Sequence, residues 1–193
     1  MRIISGVHKG RKINAPKGLP VRPTTDFAKE GLFNILRNKV YFDELTVLEL
    51  YAGTGNISYE FASRGTPQIW AVDAHAGCIR FIQKTASELD LPIEAIKSDV
   101  KKFIISQNKS FDIVFADPPY NLSLNDLEDL VTTILENDLI KPEGYLILEH
   151  TKQLDFSLLD CFIEKRKYSN SVFSFFKPNK PKIDSTKIPH SPT

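Results

Sequence analysis

No apolar run in the sequence approaches the roughly 20 residues that a helix needs to cross a bilayer, so no membrane span is expected. Cysteine is nearly missing: Cys78 and Cys161 lie far apart and neither is flanked by a second ligand pair. That excludes a disulfide framework and a metal cluster, and is what a cytoplasmic protein with reduced thiols would show. His8, His75, His150 and His190 share no metal-ligand spacing, and no metal is expected. The basic start, Met1 to Gly6, has no long apolar stretch behind it, so it does not read as a secretory signal. Acids are absent from residues 1–25, which hold six basic residues. The formal net charge of +1 therefore hides a segregation. Residues 1–40 carry nine Lys/Arg and two acids, residues 41–160 nine and twenty, and residues 161–193 seven and two. An acidic body with two basic ends is suited to meet a polyanion through its ends.

What is present reads as one domain with extensions. Residues 1–24 mix Ile3, Ile4 and Ile13 with glycines and prolines, which predicts an arm of short strands and turns. Thr24 or Thr25 can cap a helix starting near Asp26, with Phe27, Leu32, Phe33, Ile35 and Leu36 as its apolar stripe. From residue 46, short apolar runs alternate with helical stretches. Strands are expected at Thr46–Tyr51, Gln68–Val72, Ile93–Lys97, Phe111–Ala116 and Tyr145–Glu149. Helices fall at about eight residues from Asn56, at His75–Leu89, Val100–Ser106 and Leu124–Asn137. This alternation predicts an α/β fold, a doubly wound parallel sheet covered on both faces. Cys161–Lys167 and Ser171–Phe176, separated by Tyr168-Ser169-Asn170, read as a closing hairpin. Residues 178–193 read as a flexible tail.

The turn after the first strand, Glu49-Leu50-Tyr51-Ala52-Gly53-Thr54-Gly55-Asn56, sits where an open parallel sheet binds ligands. A dinucleotide loop has a third glycine, where this chain has Ser58. The carboxylate of Glu49 would repel a pyrophosphate but suits the ammonium and sulfonium of S-adenosylmethionine. Asp73 closes the second strand, placed to accept from ribose hydroxyls, and Asp99 follows the third, placed to accept from the adenine amine. Either aspartate alone could be a helix cap. Acids at the ends of three successive strands favour S-adenosylmethionine over NAD, with Glu49, Tyr51, Gly53, Gly55, Asn56, Asp73, Asp99 and Asp117 as the candidate contacts.

Asp117-Pro118-Pro119-Tyr120 follows the strongly apolar fourth strand. The prolines fix φ and remove two N–H donors, leaving a rigid turn that presents carbonyls. The Asp117 carboxylate and the Pro118 carbonyl can each accept an N–H from a base amine, freeing its lone pair to face the methyl sulfonium. Tyr120 would stack on the base, worth about 1–3 kcal/mol. A proline turn closing a strand is the plainer reading, but an apolar strand with a Gly-x-Gly loop upstream makes the tetrapeptide specific.

These residues resemble the amino-methyltransferases with a [DNS]-P-P-[YFW] motif. Arg2-Ile3-Ile4-Ser5-Gly6, Lys9-Gly10-Arg11, Pro16, Gly18, Arg22-Pro23-Thr24-Thr25-Asp26 and Glu30 to Asn34 look like the RsmD-type family of bacterial 16S ribosomal RNA guanine-N2 methyltransferases. The resemblance implies a class I (Rossmann-like) methyltransferase sheet of seven strands with the last antiparallel. It implies a basic arm and helix over residues 1–40, a catalytic domain over 41–177, and Arg2, Lys9, Arg11, Lys12 and Arg22 lining an RNA face. The expected partner is ribosomal RNA in the small subunit or an assembly intermediate, and a monomer is the default. Two positions depart from the family: Glu49 stands where Asp is usual, and Ser169 where Gly is usual. Three other readings stand beside this one. An adenine-N6 methyltransferase would use the same tetrapeptide, but specific DNA readers need more mass outside the sheet. The others are an assembly protein with a relic pocket and, disfavoured by Ser58, an NAD-dependent oxidoreductase.

Overall fold

In the computed structural model, which describes residues 1–16, 18–19 and 25–178, the order of elements follows the hydrophobic rhythm of the chain. Helix α1 (Asp26–Leu36) leads through a 3₁₀ turn at Phe42–Glu44 into β1 (Thr46–Leu50) and α2 (Asn56–Ser63). Then come β2 (Gln68–Asp73), α3 (Ala76–Glu88), β3 (Ile93–Lys97), α4 (Val100–Ser106), β4 (Phe111–Ala116) and α5 (Leu124–Glu136). The chain closes with β5 (Ile140–Thr151), β6 (Phe162–Tyr168) and β7 (Ser171–Phe176). The seven strands form one sheet in the order β3-β2-β1-β4-β5-β7-β6. The first five are parallel, and β7 runs antiparallel to both β5 and β6. This is the class I methyltransferase sheet, and the winding reverses between β1 and β4.

Alternation along the strands divides the core. Val47, Ile113, Phe115, Ile147 and Phe175 face Leu32, Phe33 and Leu36 of α1 and Phe61 of α2. Their neighbours Leu48, Val114, Leu146 and Leu148 face Phe103 of α4 and Leu127, Val131 and Ile134 of α5. Helix α3 packs through Ile82 on Ala71 of β2. None of the helices among the described residues is long and apolar enough to cross a membrane.

Thr25 caps α1, its hydroxyl accepting from the Ala28 N–H at 3.2 Å. One stripe residue departs from expectation: Phe27 is 65% exposed, its ring edge-on to Tyr168, while Ala28 and Lys29 are buried. Strand β5 starts five residues before the expected Tyr145, at Ile140, because Phe111 pairs Ile140 and an irregularity in the ladder brings Ile113 opposite Tyr145.

The arm forms a small hairpin, with Arg2 bridging Lys12 and the Ile3 N–H donating to the Arg11 carbonyl at 3.0 Å. Ile3 and Ile13 are buried against Tyr59 and Leu89. Gly6 is needed where the arm crosses α2, since φ is +83° and a Cβ would lie 1.7 Å from the Ser63 carbonyl oxygen. Below it sits a buried ionic network. Glu60, 0% exposed, accepts from the N–H groups of Ile4 (2.8 Å) and Ser5 (3.1 Å) and from Arg64 Nη2 (2.9 Å), and lies 3.4 Å from Lys29 Nζ. Lys29 Nζ in turn donates to the Arg2 carbonyl (2.7 Å) and to Asn56 Oδ1 (2.8 Å).

Candidate active site

The carboxyl ends of β1, β2 and β4 surround a cleft of about 460 Å³, inside the usual range for small-molecule sites. Its position at the reversal of the winding is where an open α/β sheet leaves a crevice. Ten of the expected residues line it: Glu49, Tyr51, Gly53, Asn56, Asp73, Asp99 and the four of the tetrapeptide, Asp117 to Tyr120. Gly55 shapes the wall from behind. It caps α2 in the left-handed region (φ +77°), and a Cβ there would lie 3.0 Å from Ile82 and 3.1 Å from Tyr59. Tyr51, also at positive φ (+57°), carries this strain without being glycine; such outliers persist where surrounding structure holds them, and cluster at functional sites.

Each acid has a local anchor. Glu49 is buried and accepts from the Ser58 backbone N–H (2.9 Å) and, by a short bond, from the Ser58 hydroxyl. Ser58, where a dinucleotide loop has glycine, thus fixes the carboxylate that such a loop lacks. Burial pushes Glu49 up to about 7, against the opposing effect of the Ser58 hydrogen bonds. Asp73 accepts from the Gly53 N–H (2.8 Å) and the His75 N–H (2.7 Å), tying the β1 loop to the end of β2. Asp99 caps α4 by accepting from the Lys102 N–H at 3.0 Å, so the capping role holds while the residue still borders the cleft.

Asp117 is half-buried, and the next residue Pro118 is buried while Pro119 and Tyr120 are exposed. Burial, then the negative charges of Glu149 and Glu49, raise the Asp117 carboxyl well above the usual carboxylate range. Glu149 is the residue that sequence reasoning missed. It is 1% exposed near the end of β5, and because Ala116 pairs Leu148 across the parallel ladder, Asp117 and Glu149 occupy equivalent places on adjacent strands. Glu149 and Tyr120 also border a second cleft of about 410 Å³, walled by Thr25, Thr151 and the β6–β7 turn. Tyr120, 47% exposed, is common to both clefts. Ser169, where the resemblance expects glycine, takes φ +58° in that turn.

The cleft's chemistry selects its ligand. Four acids line it, Glu49, Asp73, Asp99 and Asp117, and among the described residues no lysine or arginine does. A pyrophosphate would meet only repulsion there, whereas a cationic sulfonium with hydroxyls and an amine to donate finds acceptors. His75 and Cys78, to which sequence reasoning gave no role, also border it.

The predicted RNA-facing residues lie elsewhere. Lys9, Arg11 and Lys12 are exposed on the arm, and Arg2 reaches Asp26 at 3.4 Å. Arg22 and the tail from residue 179 lie outside the described residues.

Comparison with known proteins gives the family. The chain is 33% identical over 160 residues to a Bacillus subtilis protein named "Putative rRNA methyltransferase YlbH", covering 80% of this chain and 85% of that protein. It is 30% identical over 157 residues to the ribosomal RNA small subunit methyltransferase D of Haemophilus influenzae, covering 79% of each. In fold it is similar to a solved Escherichia coli structure, "Putative methyltransferase yhhF", with a TM-score of 0.80 and 22% identity, covering 94% of this chain and 99% of that one. The family model described as Conserved hypothetical protein 95 matches residues 1–177, and the chain belongs to that family, the RsmD-type methyltransferases.

Proposed function

We propose that the chain transfers a methyl group from S-adenosylmethionine to the exocyclic N2 amine of a guanine in small-subunit ribosomal RNA. The observation that carries this reading is the position of Asp117 to Tyr120. The tetrapeptide lines the acidic cleft fit for a sulfonium, and its last residue, Tyr120, also lines the second cleft. Relatives named as rRNA methyltransferases support the substrate class.

Glu49, fixed by Ser58, would take the ligand's ammonium, Asp73 the ribose hydroxyls and Asp99 the adenine amine. The bound cofactor supplies an electrophilic methyl on a good leaving group. Most of what the protein adds is then positioning and electrostatics. Tyr120 would stack on the base from the second cleft. Asp117 and the Pro118 carbonyl would each accept an N–H of the amine, turning its lone pair toward the methyl. As the nitrogen–carbon bond forms and the carbon–sulfur bond breaks, the amine must lose a proton. Asp117 is suited to take it, because burial and Glu149 raise its basicity above that of an ordinary aspartate.

The test is transfer from labelled S-adenosylmethionine to unmodified small ribosomal subunits, with duplex DNA as competitor. The expected product after digestion is N2-methylguanosine. N6-methyladenine in either nucleic acid would keep the tetrapeptide's role and overturn the guanine assignment, and no label in either would overturn the proposal.

A further inference from the structure

Beyond the cleft, the arm and α3 enclose a groove of about 520 Å³. Arg11 and Lys12 rise on one side, Arg80 and Lys84 on the other, all exposed. The acid beside them is Glu88, 3.8 Å from Lys84. Ile13, Phe81 and Leu89 supply an apolar floor. Sequence reasoning counted Arg80 and Lys84 with the acidic body, and only folding brings them beside the arm. The groove also has a definite relation to the active site. Leu19 lies over the first turn of α3, where a Cβ on Gly77 would come within 3.0 Å of it and within 2.8 Å of His75. His75 itself borders the acidic cleft. The groove therefore starts at the rim of the cleft and follows α3 away from it.

We propose that this groove seats a stretch of RNA backbone flanking the target nucleotide, with Arg80 and Lys84 of α3 binding phosphates together with Arg11 and Lys12. The inference rests on the reading of the chain as an rRNA methyltransferase and adds a helix to the RNA face that the arm alone was expected to form. Cations along two rims fit a polyanion, and an apolar floor carrying Phe81 fits sugars or an unstacked base. The sign of the charge also separates the two ligands. The acidic cleft repels phosphate and attracts the sulfonium, while the groove does the reverse.

The experiment measures binding of unmodified small-subunit rRNA by the full chain across a salt series. It compares the parent, Arg80→Gln/Lys84→Gln, Arg80→Glu/Lys84→Glu, and Lys109→Glu as an exposed control from the loop between α4 and β4, outside the groove lining. Loss of two phosphate contacts should make the log–log salt slope shallower by about 1.4–1.8. Affinity at low salt should fall about tenfold in the glutamine variant and further in the glutamate variant. S-adenosylmethionine affinity and the far-UV spectrum should stay those of the parent, and Lys109→Glu should leave RNA binding unchanged. Parent-like affinity and slope in both α3 variants would overturn the proposal, as would an equal loss in Lys109→Glu. Failure of the underlying function would appear in the parent alone, as absence of RNA binding and methyl transfer, and would overturn both.

Discussion

Replacing Glu60 tests whether the arm is fastened to the body or merely rests on it. Its carboxylate, 0% exposed, accepts from Ile4 N–H, Ser5 N–H and Arg64, and faces the Lys29 ammonium, itself 1% exposed. In Glu60→Gln the shape is kept, but Lys29 loses its counter-charge and one oxygen becomes a donor facing donors. Removing one partner of a buried ion pair costs about 3–5 kcal/mol, because the remaining charge is left uncompensated. For a chain of this size each kcal/mol lowers the midpoint by roughly 2–4 °C, so a fall of roughly 6–20 °C is expected. Differential scanning calorimetry measures it, and amide exchange adds location: the Ile4 and Ser5 N–H groups should lose protection beyond the global change. Because Lys29 also donates to Asn56 in the cleft wall at 2.8 Å, cofactor affinity should drop alongside. A fall below about 1 kcal/mol, the range of an exposed pair, with protection at Ile4 and Ser5 intact, would refute the reasoning.

Three further outcomes follow from the cleft. Asp117→Ala should lower the rate of methyl transfer by at least about 100-fold, the contribution of a positioned acid–base group. Cofactor affinity by calorimetry should stay within a few-fold, and a fully active variant would remove the tetrapeptide from the chemistry. Asp73→Asn should weaken S-adenosylmethionine roughly 10–100-fold, the value of hydrogen bonds to a charged group, and unchanged affinity would place the ribose elsewhere. Glu49 gives a pH signature. Its carboxyl is raised from 4.5 to about 7 by burial, so the stability it contributes is present below 4.5 and lost as pH rises through about 7. A bound ammonium favours the charged form, so cofactor binding near neutral pH should release a proton. Calorimetry in buffers of different ionisation enthalpy detects it, and release that persists undiminished in Glu49→Gln would assign the proton to another group.

Much of the fold is legible because each buried parallel strand is a short apolar run bounded by turn residues. Phe111–Ala116 ends where Asp117-Pro118 cannot continue it, and the observed β4 has those bounds. Legibility fails where burial is ionic or where a strand begins in polar residues. Lys29 sits on the inner face of α1, but a lysine there reads as solvent-facing; its partner Glu60 is 31 positions away and nothing local announces it. Phe27 was expected on the stripe, yet the inner face runs through Ala28, Leu32, Phe33 and Leu36, and its ring turns outward to Tyr168. The polar Lys141-Pro142-Glu143 hides the first residues of β5 for the same reason, since its continuous apolar signal starts only at Tyr145.

The candidate site shows the same division, and Glu149 marks its boundary. Glu49 and Asp117 were visible because each adjoins a motif with its own backbone logic, a glycine turn and a proline turn. Glu149 adjoins neither and reads as the polar end of an ordinary strand. What gives it a role is register: with β4 between β1 and β5, Ala116 pairs Leu50 on one side and Leu148 on the other. Asp117, one step past that row, falls opposite Glu149, while Glu49, paired with Phe115, lies two residues back on the other side, and both negative charges raise the Asp117 carboxyl. Strand order is a long-range property, so no local pattern could reveal that these three acids meet. Once they do, the consequence is chemical. Three carboxylates brought close in a half-dry site cannot all ionise at ordinary aspartate acidity, and Asp117, whose carboxyl the other two raise, is the one the proposed mechanism asks to hold the proton that amine methylation must release.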